Sequence, residues 1–250
     1  MNSQNKNDRA AWLQGPSAKC SSLPEVTTLS WRLVLLGARG VGKGTQAHLL
    51  NQRLGVCHWS TGDVFRAAGS RKAYEQTPAM AAALDYMRRG DLVPDSAVWE
   101  MVRERSGCLH CQGGFVLDGF PRTLGQAEAL SRLMETENLT LSAVVNYELP
   151  VAEIVSRLGG RGICEKCKAV FHVTRQPSRS EGICDECGGR LYQHEDDRPE
   201  SAKPHLEVYE NSTAPLIKFY SQFRLLVPVA ATGSPEEICA RTMSALEKRQ

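Results

Sequence analysis

Leu33-Val34-Leu35-Leu36-Gly37-Ala38-Arg39-Gly40-Val41-Gly42-Lys43-Gly44-Thr45 is the stretch that decides the fold of this chain. Four apolar residues in a row read as a strand buried on both faces, as in a parallel sheet. A glycine-rich turn follows, and Thr45-Gln46-Ala47-His48-Leu49-Leu50 continues as helix. Gly37 to Lys43 fits G-x-x-x-x-G-K, the phosphate-cradling P-loop. Glycines let backbone N–H groups converge on an anion, the helix N-terminus adds positive potential, and Lys43 supplies a mobile charge. In its strand–loop–helix setting the turn implies a nucleoside triphosphate site.

Working outward, strand-like apolar runs recur at 32–36, 114–117 and 143–147, with a weaker one at 225–230. Helical patterns lie near 44–54, 96–105 and 124–137. Alternating strand and helix predicts an α/β fold, a doubly wound parallel sheet with helices on both faces. Ligands then bind beyond the carboxyl ends of the strands. Two stretches break the rhythm. Residues 60–89 are helical and alanine-rich, and residues 160–197 hold clustered Cys, Gly and charge. Both read as insertions over the ligand edge of a core formed by 31–59, 90–159 and 198–250.

At 250 residues the chain can bury a full core. A net charge of +2 argues against a broad nucleic-acid surface. No apolar run approaches the ~20 residues of a membrane span. Residues 1–30 are polar, lack an apolar signal-peptide stretch and carry Asp8 and Glu25, so they read as a disordered extension rather than a targeting segment. The expectation is a cytoplasmic protein without a membrane or nucleic-acid partner.

Nine cysteines is a high and odd count, and with no secretory signal it favours metal or free thiols over disulfides. Cys164-x2-Cys167 and Cys184-x2-Cys187 stand 16 residues apart, the spacing of two zinc knuckles. Four thiolates leave no open position for substrate, so the zinc is expected to be structural. The insertion is too small to bury a core, and metal can supply its folding energy. Zinc ribbons also bind nucleic acid or protein, but Glu165, Glu181, Asp185 and Glu186 largely cancel Lys166, Lys168, Arg175, Arg179 and Arg190. Cys108 and Cys111 form a further pair without a second knuckle and read as free thiols.

Three more motifs follow in order: Ser60-Thr61-Gly62-Asp63-Val64-Phe65-Arg66, Asp118-Gly119-Phe120-Pro121-Arg122-Thr123, and Leu206-Glu207-Val208-Tyr209 with Thr213-Ala214-Pro215-Leu216. Together with the P-loop they resemble adenylate kinases, in the long form with a zinc-bearing lid, over residue 31 to about residue 248. The resemblance implies a usually monomeric enzyme that moves the terminal phosphoryl group of Mg·ATP onto AMP, giving two ADP. It also implies a nucleoside-monophosphate-binding insertion at 60–89 and a lid at 160–197.

By that resemblance Gly40, Val41, Gly42, Lys43, Gly44 and Thr45 cradle the ATP phosphates, with Lys43 on the transferring group. Thr61, Arg66 and the backbone of Asp91, Leu92 and Val93 hold AMP. Gly119, Phe120, Pro121 and Arg122 continue that site, with Arg122 on the AMP phosphate and Gln126 reading the adenine edge. Asp118 and Asp63 orient the waters of Mg²⁺. Arg157 and Arg161 reach the ATP phosphates from the lid hinge, and Val170 and Phe171 flank the ATP base. Asp118 also suits a turn-capping role, since it opens a Gly-Pro turn.

The sequence departs from the family pattern where His194 and His205 replace two arginines that bridge the nucleotides' phosphates. Histidine is shorter, mostly neutral at pH 7 at its ordinary pKa of ~6.5, and has no guanidinium fork. A transition-state arginine can be worth roughly 10³–10⁵ in rate, so a weakened kinase, a nucleotide-binding homologue without turnover, or a kinase for another monophosphate are the alternatives. Pro204 suggests that the helix carrying His205 starts late. Arg39 stands where the family has proline and is expected to point to solvent.

Overall fold

A computed structural model of the chain describes residues 30–69, 78–89, 91–104, 109–111, 113–167, 169–174, 176–193 and 199–249. The polar extension falls outside the described residues but for Ser30.

Strand β1 (Trp31–Leu36) runs through the middle of a five-stranded parallel sheet. β3 (Gly114–Asp118) lies on one side of it and β4 (Ala143–Glu148) on the other. β2 (Cys57–Ser60) and β8 (Leu226–Ala230) form the edges. Successive β1 residues face opposite layers. Val34 and Leu36 join Phe115, Leu117, Val144, Leu130 and Tyr220 on one side. Leu33 and Leu35 join Val116, Val145, Ala47, Leu50 and Ile238 on the other. Two covered faces explain the unbroken apolar run. Leu35 lies opposite Asp118, and Ser60 opposite Asp118 on its other flank, so the carboxyl ends of β1, β2 and β3 end level.

The turn after β1 leads into α1 (Lys43–Leu54), which ends on Gly55 at φ +67°, its N–H donating to the Asn51 carbonyl. Helices α2 (Thr61–Gly69) and α3 (Pro78–Arg89) form the alanine-rich insertion, and α4 (Asp95–Glu104) returns to the sheet. After β3, α5 (Leu124–Thr136) is capped by Thr123, whose Oγ1 accepts the Gln126 N–H. α6 (Val151–Gly159) leads to a small antiparallel sheet of β5 (Arg161–Cys164), β6 (Val170–His172) and β7 (Leu191–Tyr192). Then come α7 (Pro199–Val208), a π-helical turn (Tyr209–Thr213), α8 (Pro215–Gln222), β8 and α9 (Pro235–Glu247). A reciprocal Ser234–Glu237 capping box starts α9. None of the described helices is long and apolar enough to cross a membrane.

Two sequence expectations are corrected. Ser60 closes β2, so the helical insertion starts at Thr61. β2 escapes a periodicity reading because it is four residues long and carries His58 and Ser60, yet all four are buried by its neighbours. The helix carrying His205 does not start late: α7 runs from Pro199 straight through an exposed Pro204. There the ring removes one backbone donor, the one that would reach Glu200, at a cost of ~3 kcal/mol borne by the rest of the helix.

Candidate phosphate-binding cleft and thiol cluster

Gly37 sits at φ +132°, and a Cβ there would stand 2.7 Å from the Tyr147 carbonyl oxygen, so only glycine lets the turn fold against β4. Gly42 caps α1 at φ +102° without a side-chain bond, leaving the first helical N–H groups facing the loop. Lys43 opens α1. Its Nζ folds back to donate to the carbonyls of Gly37 at 2.7 Å and Ala38 at 3.0 Å. Burial pulls the Lys43 ammonium down to about 8, with Arg122, Arg39 and Arg161 adding to the fall and Asp118 opposing it. The three arginines add positive field around Lys43, which favours an anion there. Arg39 is one of them: it is half-buried and acts on Lys43, contrary to the expectation that it points to solvent.

Asp118 ends β3 beside this loop. A Cβ on Gly44 would lie 3.4 Å from Asp118 Oδ2, so the carboxylate overhangs the start of α1. His58 Nε2 lies 3.6 Å from the same oxygen. Burial raises the Asp118 carboxyl, but His58 and Lys43 more than offset this against a smaller push from Asp63, holding it below the ordinary carboxylate value.

Arg157 reaches over from α6. Its Nη1 donates to the Val41 carbonyl at 3.2 Å and its Nη2 to the Ala231 carbonyl at 2.7 Å, with Glu153 at 4.0 Å. It ties the loop to the turn after β8. Arg161, the first residue of β5, is half-buried and adds to the field on Lys43. Val41 is buried and Thr45 half-buried on the same loop.

The segment after β3 forms a second arc. Thr61 Oγ1 donates to the Gly119 carbonyl at 3.0 Å, and Arg122 Nε donates to it at 2.9 Å. The Phe120–Pro121 bond is cis. Thr213 Oγ1 donates to the Arg122 carbonyl at 3.0 Å. The Arg122 N–H donates to Gln126 Oε1 at 2.8 Å, while Gln126 Nε2 donates to Asp95 Oδ1 at 2.6 Å. Asp91 is exposed and paired with Arg89 at 3.1 Å; Leu92 and Val93 are half-buried, Val93 against the core. Arg66 lies in α2, but its side chain, like that of Lys203 in α7, falls outside the described part of the structure. His194 and Arg198 lie outside the described residues. His205 is half-buried in α7.

In the small sheet, the Sγ atoms of Cys164, Cys167, Cys184 and Cys187 all lie within 4.8 Å of one another. Cys164 to Cys187 is 3.4 Å and Cys167 to Cys184 3.5 Å. Tetrahedral zinc with Zn–S of about 2.3 Å needs sulfurs about 3.8 Å apart, so the four thiols could hold one such ion. The Gly189 backbone N–H, then the neighbouring thiols, pull Cys187 down to about 7. The Cys164 N–H donates to the Ala169 carbonyl and the Cys184 N–H to the Gly189 carbonyl, which closes both knuckles. Strand alternation divides the expected base-flanking pair: Val170 is 40% exposed, while Phe171 packs inward with Cys164 and Cys184. Gln193 Nε2 donates to the Leu158 and Gly159 carbonyls at 3.2 and 3.1 Å, pinning the small sheet to the end of α6. Among the described residues no other group of cysteine, histidine and carboxylate ligands converges in this way. Cys111 is half-buried against the core, and Cys108 lies outside the described residues.

The structure brings the glycine turn and the 118–122 segment together. Sequence reasoning missed His58 and Asp95. His58 could be found only by pairing β2 with β3, and Asp95 reads locally as a helix-start acid.

The family model described as Adenylate kinase matches residues 35–225. A protein named adenylate kinase from Carboxydothermus hydrogenoformans is 46% identical over 217 residues, 87% of this chain and 100% of its own. The like-named protein of Streptomyces coelicolor is 46% identical over 220 residues, 88% of this chain and all of its own. That of Caldicellulosiruptor saccharolyticus is 47% identical over 216 residues, 86% of this chain and 97% of its own.

Proposed function

The chain belongs to the adenylate kinase family, and from that premise we propose that it moves the terminal phosphoryl group of Mg·ATP to AMP, reversibly, giving two ADP. The observation that carries the reading is the meeting of Lys43, Asp118 and Arg122 at the mouth of one glycine turn.

Phosphoryl transfer runs through a loose, in-line transition state with charge spread over the equatorial oxygens. The residues' task is therefore to gather positive charge in a dry, preorganised site. ATP phosphates displace the Gly37 and Ala38 carbonyls from Lys43, whose ammonium then follows the transferring group. The loop from Gly40 to Thr45 supplies N–H donors. Arg157, already anchored to Val41, needs no reorganisation to hold the loop, and Arg161 faces the phosphates from the hinge. Thr61, Arg66, the 91–93 backbone and the 119–122 turn hold AMP, Arg122 takes its phosphate and Gln126 reads its base. Val170 offers the exposed side chain against the ATP base, with Phe171 as its support from below.

Bound with ATP, Mg²⁺ would supply charge neutralisation at the phosphates. Asp118, held as carboxylate, and Asp63 suit the waters of that ion. The thiol cluster suits a structural Zn²⁺ that braces the 160–197 lid. Lid and 61–89 insertion close over the 31–60, 90–159 and 198–250 core and exclude water that would otherwise take the phosphoryl group. One copy carries both nucleotide sites, which fits a monomer, and a cysteine cluster suited to metal rather than to disulfides fits the reducing cytoplasm.

A coupled assay for ADP formation from ATP, AMP and Mg²⁺ tests the proposal. Turnover that Lys43→Ala abolishes is expected; wild-type turnover no higher than the variant's refutes it.

A further inference from the structure

We infer that Asp95 is the specificity-determining positioning residue of the monophosphate site: it locks the Gln126 amide in the orientation that reads adenine and refuses a 6-oxopurine. The inference rests on the reading above that Gln126 meets the base of the monophosphate.

Gln126 is only 3% exposed and both ends of its amide are engaged. Oε1 accepts the Arg122 backbone N–H at 2.8 Å, and Nε2 donates to Asp95 Oδ1 at 2.6 Å. A backbone N–H only donates and a carboxylate only accepts, so both neighbours fix which end of the amide is which. Rotating the amide by half a turn would set Nε2 against N–H and Oε1 against carboxylate, two repulsive contacts at a buried amide.

Asp95 is itself held. Thr123 Oγ1 donates to its Oδ2 at 2.8 Å. Gly125 makes room for it inside α5: a Cβ at that position would stand 3.3 Å from Asp95 Oδ2. Glycine at this second position of the helix clears the approach of the carboxylate.

Once locked, Gln126 has one N–H and one lone pair left. Adenine presents an acceptor at N1 and a donor at its 6-amino group, which match them. A 6-oxopurine presents a donor at N1 and an acceptor at O6, the reverse pattern. It would meet donor with donor and acceptor with acceptor unless the amide turned over. A site that leaves buried polar groups unpaired rejects the wrong partner strongly. Asp95 touches no substrate; it acts through Gln126.

The test compares kcat/KM for AMP and for inosine monophosphate (IMP), with ATP and Mg²⁺ fixed, in wild type, Asp95→Asn and Thr123→Val. Asparagine has the same shape but both donates and accepts, so it no longer forbids the turned amide. Asp95→Asn is expected to lower the AMP-to-IMP ratio at least about tenfold, the scale of one charge-assisted hydrogen bond, with KM for AMP rising and kcat moving less. Thr123→Val removes one donor to Asp95 and should shift the ratio the same way by less; it decides the matter if Asp95→Asn does not fold. A ratio unmoved in a folded variant, alongside normal AMP turnover in wild type, overturns the lock alone. A wild type that fails to phosphorylate AMP sinks the underlying reading and the lock with it.

Discussion

His58 Nε2 stands 3.6 Å from Asp118 Oδ2, across two neighbouring parallel strands and inside the sheet's ligand edge. The ring is buried, and with Lys43 it outweighs the burial that would raise the Asp118 carboxyl. A carboxylate with a depressed folded value contributes stability above its unfolded pKa of ~3.9 and loses it as pH falls through the folded one. Replacing His58 with leucine therefore moves the acid limb of the rate profile to higher pH. It also lowers kcat about fivefold at neutral pH, the worth of one modest polar contact. His58→Gln restores part of both. A pH–rate profile identical to wild type in His58→Leu contradicts the role.

Lys43 has a value of about 8 with burial as the main cause. Most of it is charged at pH 7 and less than a tenth at pH 9 or above. ATP phosphates favour the charged form, so binding takes up a proton and ATP affinity falls as pH rises through 8. Calorimetry in buffers of different ionisation enthalpy reads this uptake directly. Lys43→Arg should flatten the pH dependence, and Lys43→Ala should lower kcat/KM by at least about 10².

The thiol cluster predicts one zinc per chain by metal analysis. Cys184→Ser, or a strong chelator, should expose the 160–193 segment to proteolysis while the five-stranded core stays folded, because that segment's own buried cluster is little more than Cys164, Phe171 and Cys184. A protein that holds no zinc and keeps the segment protease-resistant contradicts the assignment.

His205 lies half-buried on α7. If it does the work of the family's arginine, the rate should climb as pH falls from about 8 to 6, before Asp118 fails. Changing His194 and His205 together to arginine should then raise kcat and remove that slope. An unchanged rate and slope would show that neither histidine stands in for an arginine.

The sheet was legible because Leu33–Leu36 carries both signals at once, a doubly buried strand and a phosphate turn. The P-loop, the 118–123 turn and the knuckles are likewise local in sequence, and their spacings carry their chemistry. Long-range partnerships were not legible. Asp95 meets Gln126 across 31 residues, and Arg157 meets Val41 across 116. No local pattern encodes either. His58 sits in a strand too short to show a period, buried by its neighbours rather than by its own hydrophobicity. Pro204 misled for the opposite reason: a local penalty of a few kcal/mol was overridden by the packing of the rest of α7.

The central claim is that the cleft carries a phosphoryl group between two nucleotides and keeps it from water. ATP labelled at the γ position, mixed with AMP and Mg²⁺, tests it most directly by following the label. The account predicts that the label appears in the β position of ADP far faster than in inorganic phosphate, and that Lys43→Ala stops the transfer. Label released mainly as inorganic phosphate, or transfer undiminished in Lys43→Ala, would contradict it.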